Sequence, residues 1–528
     1  MERAPTGPGG GSEGQGEAHP WIIAIAVMFG TFMVVLDSTV VNVALPHIAG
    51  NLSASIEETT WALTSYLAAN AIILPISGWL ANQIGRRRLL LLSIAGFTGA
   101  SVMCGLATSL PILILWRIVQ GMTGGVMQPL SQAIMLEAFE PRDRGKAMAF
   151  FGIGIVVAPV LGPLLGGWLT DNWSWRWVFY INLPVGAVAY AMVRANVFDP
   201  PYIRRRAGID YWGIGLLSVG ILSLQIALDQ GQREDWFASD LITTLMVLAA
   251  IGLGGFIAHA LTTRHPVVDL RLFTEPTYAT GVGLITVMGF ALYASLVLMP
   301  VLLQTLMGYS ALQAGFLMAP RGLGTLVVMP LVGIAIEKTD PRRIVGAGFL
   351  INGLTMYWLA RMNLNAGFWD FFWPQFLQGA GLGMLFVPLT TISMDRIRPE
   401  AMGEATSLFN LMRNIGGSIG IATIQTMLAR YRQVEGSILV EHVDPYSPAA
   451  QLMLENLRAA FMARGADAAT AAQRAYAAVY GMVQQQAAML SFIGGFKLLA
   501  IVFLAIIPFV LIMKKPRHHG GPAMAAGE

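Results

Sequence analysis

Residues 154–167 read Gly-Ile-Val-Val-Ala-Pro-Val-Leu-Gly-Pro-Leu-Leu-Gly-Gly, inside an apolar run long enough to cross a bilayer. Gly154, Ala158, Gly162 and Gly166 recur every fourth residue, so on a helix they form one small-residue stripe. Such a stripe lets a second backbone come close, which is how helices associate where lipid supplies no hydrophobic drive. Pro159 and Pro163 each remove a backbone donor and bend the helix, and Gly167 extends the run of small residues. An ordinary packing face explains the small residues alone. The doubled Gly-Pro/Gly-Gly pattern points instead to a specialised contact between two helices. A leucine at Gly162 or Gly166 is then expected to do more harm than an alanine.

Composition places that helix in a membrane. The chain has 528 residues, 55% hydrophobic and 12% charged, where soluble domains carry ~25% charged residues. The net charge is +3 and the basic residues sit in short loops, which argues against nucleic acid as a partner. The single cysteine, Cys104, lies in an apolar span and reads as a packing residue. Residues 1–20 are Gly-rich and polar, a disordered tail by composition. The first apolar run lacks a basic leader and a cleavage site, so it reads as a retained span. No phosphate loop, Ser/His/Asp set or zinc motif occurs, so neither an enzyme nor a cofactor is implied. His259, His265, His518 and His519 read as solvated surface groups, not metal ligands.

Fourteen apolar stretches of about 20 residues run from 21–45 to 490–513. The connections between them sort by charge. One face carries Arg86 to Arg88, Arg142, Arg144, Lys146, Arg204 to Arg206, Lys338, Arg342, Arg343, Lys514 and Lys515; the short loops opposite carry Arg176, Arg233 and Arg361. The positive-inside rule makes the basic face cytoplasmic, and an even span count puts both termini there. Trp173, Trp175, Trp177, Trp369 and Trp373 fall at outer boundaries, as interfacial anchors do.

The chain also repeats. GWLANQIGRRRLLL from Gly78 returns as GIAIEKTDPRRIVG from Gly333, and QGMTGGVMQPL from Gln120 returns as QGAGLGMLFVPL from Gln378. The offsets are 255 and 258 residues. A six-helix half needs less than that, which leaves room for two further spans between the halves. The expected fold is an all-α membrane protein of two six-helix bundles plus two inserted helices. Its parts are a tail (1–20), an N-terminal bundle (21–200), an inserted pair (201–265), a C-terminal bundle (266–513) and a second tail (514–528). The segment 430–489 is expected to form an outer helical hairpin, broken at Asp444-Pro445, with Ser447 as N-cap and Leu452, Leu454, Leu457, Phe461 and Met462 as its apolar face.

LDSTVVNVALP (36–46), WRIVQG (116–121), GPLLGG (162–167), WRWVFYINLPVG (175–186) and WPQFLQGAGLGMLFVPLTT (373–391) together resemble the fourteen-span drug:proton antiporters of the major facilitator superfamily (MFS). Within that family the chain looks most like the inner-membrane subunits of tripartite multidrug efflux pumps. The resemblance implies a multi-pass protein of the bacterial inner membrane, driven by the proton gradient without a cofactor. It also implies a periplasmic adaptor, an outer-membrane channel beyond it, and hydrophobic drug-like substrates. Residues 154–167 resemble the family's antiporter motif, and Gly78, Asn82, Gly85 and Arg86 its loop motif after span 2. That loop usually has an aspartate where this chain has Asn82, which weakens any charge-based latch on the cytoplasmic side.

A charged side chain at mid-bilayer costs ~2.5–3.5 kcal/mol even on the lenient insertion scale. Asp37 is the one carboxylate read as deep in a span, and Arg117 lies at a matching depth in span 4. The two make a candidate proton-coupling pair; a permanent salt bridge tying the spans is the plainer alternative. Arg321, Arg413 and Lys497 add cations, and Pro320 suggests a locally opened helix beside Arg321. Arg413 could instead bond helix carbonyls or Asn410. One acid against several cations tilts substrate choice towards hydrophobic weak acids or neutral amphiphiles. Asn42, Asn70, Gln128, Gln132, Gln304, Gln378 and Asn410 are candidates to line the substrate path with Arg321 and Arg413. Multidrug export leads, a dedicated exporter of an endogenous fatty acid or siderophore follows, and a non-transporting membrane sensor stands last.

Overall fold

All fourteen apolar stretches fold as helix, and among the described residues no strand occurs. The computed structural model describes residues 19–199, 208–264, 266–336, 338–442 and 447–513. Residues 1–18, Arg204 to Arg206, His265, Asp444, Pro445 and the second tail with His518 and His519 lie outside the described residues, as does the side chain of Pro163.

The first set of helices is α1 (Pro20–Asn51), α2 (Ile56–Ile84), α3 (Arg86–Gly105), α4 (Leu110–Ala138), α5 (Arg144–Asn172) and a sixth span broken into α6 (Trp177–Tyr180) and α7 (Asn182–Asn196). Next come α8 (Tyr211–Gln230) and α9 (Asp240–Thr262), which pack on each other. The second set is α10 (Pro276–Val301), α11 (Ala311–Ala335), α12 (Pro341–Leu359), α13 (Phe368–Met394), α14 (Met402–His442) and α16 (Ala468–Ala505), with α15 (Pro448–Ala463) before α16 and a short α17 (Ile507–Val510) after it. Among the described residues eleven helical segments, α6 and α7 counted together, are long and apolar enough to cross a membrane. Leu92, Leu115, Ile251, Phe316, Leu331, Leu354 and Ile501 stand exposed around them, as lipid-facing side chains do.

The repeat read from sequence is also a repeat of contacts. In the first set α1 packs on α5 and α2 on α4; in the second, α10 packs on α14 and α11 on α13. Even the start signal recurs. At α2, Ser55 and Glu58 exchange backbone hydrogen bonds (2.8 and 3.1 Å), and 255 residues on Ser310 and Gln313 do the same at α11 (2.9 and 3.2 Å).

The small-residue stripe on α5 faces α1, not lipid. A Cβ at Gly154 would meet Met28, one at Gly162 would meet Thr39, and one at Gly166 would lie 3.0 Å from the Val40 carbonyl oxygen. Gly167 faces nothing within 4 Å. The second set uses the same device, since Gly416 and Gly420 of α14 rest on the carbonyls of Thr286 and Phe290 in α10.

Three local expectations need correcting. Trp175 is buried, lying edge-on to Phe179 under the guanidinium of Arg176, so only Trp173 and Trp177 of that trio are exposed. α11 runs through Pro320 without opening, because Gly379 lets α13 rest directly against the Arg321 carbonyl and hold the helix. His259 is no free surface group: its Nε2 lies 2.7 Å from Oδ1 of Asp210, the N-cap of α8. At the far end of α14 the helix continues to His442, and the Leu454–Leu457–Phe461 face of α15 is half-buried where α15 packs on α16.

Candidate functional site

Asp37 has no solvent exposure, and three donors converge on its carboxylate. Arg117 Nη1 donates to Oδ2 at 2.6 Å, while Gln120 Nε2 and Asn182 Nδ2 donate to Oδ1 at 2.9 and 2.8 Å. Arg117 and Gln120 are three residues apart on α4 and so share a face. Asn182 is the first residue of α7, placed there by the interruption between α6 and α7.

A further layer holds the donors in place. Arg117 Nε donates to the Ala62 carbonyl of α2 (3.0 Å), its Nη1 also reaches Gln120 Oε1 (2.8 Å), and its guanidinium lies 4.0 Å over the Tyr66 ring. Asn182 also donates to Ser101 Oγ of α3 (2.9 Å), whose hydroxyl donates to the Phe179 carbonyl (2.9 Å). Cys104 contributes a weak Sγ–H bond to Gln120 Oε1 (3.6 Å). One carboxylate therefore ties together α1, α2, α3, α4 and α7.

The chemistry follows from the burial. A buried ion pair is costly to break by removing one charge, about 3–5 kcal/mol, because the other is left uncompensated. Adding a proton to Asp37 is such a removal. It leaves the Arg117 guanidinium with the Ala62 carbonyl, Gln120 Oε1 and the Tyr66 ring as its remaining contacts.

At the end carrying the basic loops, the two sets of helices meet through paired small residues. Gly78 of α2 lies against the backbone of Gly403 and Glu404 in α14, and a Cβ at Gly145 of α5 would lie 3.0 Å from the Gly333 carbonyl oxygen of α11. Polar groups lock this seam. Asn82 Nδ2 donates to Glu404 Oε1 (3.1 Å), the Ser77 and Ser407 hydroxyls are 2.8 Å apart, and Asn410 Nδ2 donates to Gln132 Oε1 (2.6 Å). Gly85 has φ +95°, a conformation that favours glycine, and it turns the chain so that buried Arg86 pairs with Glu137 and reaches the Pro399 carbonyl (3.4 Å). Asn82 is thus matched to an acid on the facing helix, so at this position the contact across the seam is made by an amide rather than by a charged side chain.

The other path candidates separate into groups. Asn42 and Gln304 are exposed, the latter in a π-helical turn (Leu302–Leu306), while Asn70 and Gln128 are half-buried. Gln378 is buried and donates to Ser295 Oγ (3.2 Å). Arg413 is buried against Tyr293, with which it hydrogen-bonds. Buried Arg321 has no partner among the described residues for either Nη1 or Nη2. Sequence reasoning missed Gln120, Asn182 and Glu404. Gln120 and Asn182 lie inside the quoted WRIVQG and WRWVFYINLPVG, as polar residues in otherwise apolar spans.

The Major Facilitator Superfamily profile matches residues 27–421. Fatty acid resistance protein FarB of Neisseria gonorrhoeae is 36% identical over 96% of this chain and 98% of its own. Multidrug export protein EmrB of Escherichia coli K12 is 37% identical over 95% and 96%. Among solved structures, the human organic anion transporter MFSD10 covers 92% of this chain with a TM-score of 0.57 at 14% identity, a likeness of fold alone. With its helices, its repeat and these relatives, the chain belongs to the major facilitator superfamily as a multi-pass membrane transporter, not an enzyme, of the group that includes EmrB and FarB.

Proposed function

We propose that the protein is a proton-coupled exporter of hydrophobic amphiphiles, with Asp37 as the proton carrier and Arg117 as its switching partner. The carrying observation is a carboxylate with no solvent exposure held by three donors from two helices. Intramembrane acids are expensive, and function is the usual reason they are kept. Protonation releases Arg117 from Asp37, deprotonation recaptures it, and the resulting movement of α4 against α1 alternates access between the two sides. The bundles 21–200 and 266–513 move against each other in this reading, with the inserted pair 201–265 beside them. Closure at the basic end supports binding from the opposite side in this state.

The charge of the short loops supports a reading in which both termini face the cytoplasm of a bacterial inner membrane. The hairpin of α15 and the start of α16 then projects into the periplasm. Its exposed Leu452, Met453, Met462, Tyr476 and Tyr480 form an apolar surface suited to an adaptor subunit that passes substrate to an outer-membrane channel. EmrB is a multidrug export protein and FarB a fatty acid resistance protein, which agrees with an amphiphile substrate. The test is uptake of a fluorescent amphiphile into everted vesicles. Uptake should require an imposed proton gradient and stop on adding an uncoupler; uptake indifferent to the uncoupler would contradict the proposal.

A further inference from the structure

The internal repeat can be read residue by residue at the Asp37 site. Gly121 of α4 rests on the carbonyl of Tyr66 in α2, and Gly379 of α13 rests on the carbonyl of Arg321 in α11. These are the same contact in the two halves, at the 258- and 255-residue offsets of the repeat. Gln120 donates to Asp37, and its counterpart Gln378 donates to Ser295, 258 residues after Asp37. The position of Arg117 is taken by Gln375. The second half therefore keeps the architecture of the proton site with its chemistry altered. Asp37 has become Ser295, Arg117 has become Gln375, and Tyr66 has become Arg321.

The cation has moved one helix over and the resident anion is gone. Arg321 is 6% exposed and both of its terminal nitrogens lack a partner among the described residues, although a buried guanidinium is costly to leave so. Gln375, at the position of Arg117, is 1% exposed. In the first half the guanidinium of the site is answered by the Asp37 carboxylate. We propose that this second-half counterpart, built from Arg321, Gln375, Gln378 and Ser295, is a binding site for the carboxylate of an amphiphilic monoanion. The ligand's carboxylate takes the part that Asp37 plays in the first half, with Arg321 as its charged donor and the Nε2 groups of Gln375 and Gln378 as neutral donors; the Ser295 hydroxyl donates to the Leu292 carbonyl (2.8 Å) and leaves at this position only a small neutral side chain.

Depth and surroundings fit an amphiphile. Arg321 is ten residues into α11, about 15 Å from its start at 1.5 Å per residue. A carboxylate held there leaves an alkyl tail among apolar helices. The substrate role rests on the export reading above; the binding claim does not.

The test is equilibrium binding of radiolabelled octanoate to the purified full-length protein in detergent. Octanol, octylamine, methyl octanoate and chloride serve as competitors. Octanoate should bind with at least tenfold higher affinity to the wild type than to Arg321→Gln, and Arg321→Lys should recover part of the difference. Ser295→Asp restores a resident carboxylate, so it should abolish octanoate binding while leaving the thermal midpoint equal to or above that of the wild type. This variant separates site occupation from misfolding. Octanoate binding unchanged in both Arg321→Gln and Ser295→Asp would overturn the proposal. So would displacement by octanol as strong as by unlabelled octanoate, since the tail alone would then be recognised. Arg321-dependent binding of chloride with none of octanoate would make this a site for a small ion and overturn the amphiphile assignment. Loss of Arg321-dependent binding with proton-driven efflux intact counts against this site alone; octanoate binding with no proton-driven transport counts against the export reading alone.

Discussion

Asn82 and Glu404 face each other across the seam between α2 and α14, with the amide donating to the carboxylate at 3.1 Å. The family's usual aspartate at position 82 would put two carboxylates in contact here. Asn82 is therefore the complement of Glu404 rather than a weakened latch. Asn82→Asp should loosen the basic end, because the acid removes the amide donor that Glu404 accepts and sets a second carboxyl beside it. Spin labels on the α2 and α14 ends should report longer distances in the variant, and Glu404→Gln added to it should restore the short ones. Shorter or unchanged distances in Asn82→Asp would show that the seam does not depend on this bond.

The stripe on α5 makes a graded prediction. At Gly162 even a methyl group meets Thr39, so Gly162→Ala should already cost about 1–3 kcal/mol of stability, as overpacking does. Leucine at the same position should cost more still. Thr39→Ala should relieve part of the loss, whereas Gly167→Leu should be tolerated because nothing lies within 4 Å of that position. Thermal melting and vesicle transport check all three; equal damage from Gly162→Ala and Gly167→Leu would mean that α5 is not seated on α1 in this way.

The junction of α8 and α9 should loosen in acid. Burial alone would raise the Asp210 carboxyl, but the backbone N–H of Gly213, the His259 ring and the backbone N–H of Val267 outweigh it and hold the group below the ordinary carboxylate value of 3.8. A carboxyl lowered in the folded state stabilises above its unfolded value and loses that contribution as pH falls through the folded one. Hydrogen exchange in the first turn of α8 should therefore quicken as pH drops below about 4, after correction for the intrinsic rate. Asp210→Ala should show the loosened turn at pH 7, with the loss of about 1 kcal/mol typical of a removed N-cap.

Removing the outer hairpin separates transport from assembly. With 447–486 replaced by a short Gly/Ser bridge, amphiphile uptake into everted vesicles should persist, while drug resistance in cells and co-purification of the adaptor should be lost. Co-purification that survives the deletion would place the docking surface elsewhere.

Much of this architecture was legible because bilayer physics is strict: apolar length, loop charge and a repeat at 255 and 258 residues are written in residue types. Asp37 and Arg117 stood out for the same reason, since a charge inside an apolar run has few innocent explanations. Gln120 and Asn182 did not, because neutral amides in spans are common and only the fold shows which ones converge. Trp175 and His259 were misread because neighbouring side chains, Phe179 with Arg176 and Asp210, decide whether an amphipathic group meets solvent. Glu404 lay at a span end, where a carboxylate normally needs no partner; its role emerges only when α2 and α14 are brought together.

The central claim is that the buried Asp37–Arg117 pair converts proton binding into transport. Its most direct measurement is proton-driven amphiphile uptake in everted vesicles bearing Asp37→Asn, at matched protein levels, with passive downhill exchange of the same substrate measured alongside. The amide is close to isosteric with the carboxylic acid, so the variant should insert and bind substrate normally. It should nevertheless lose uphill uptake, by at least tenfold, and lose its dependence on the pH gradient. Arg117→Lys, which gives up the Nε bond to Ala62 and the stacking on Tyr66, should fall between the wild type and Asp37→Asn. Uphill uptake at the wild-type rate in Asp37→Asn vesicles, still responsive to the proton gradient, would contradict the account.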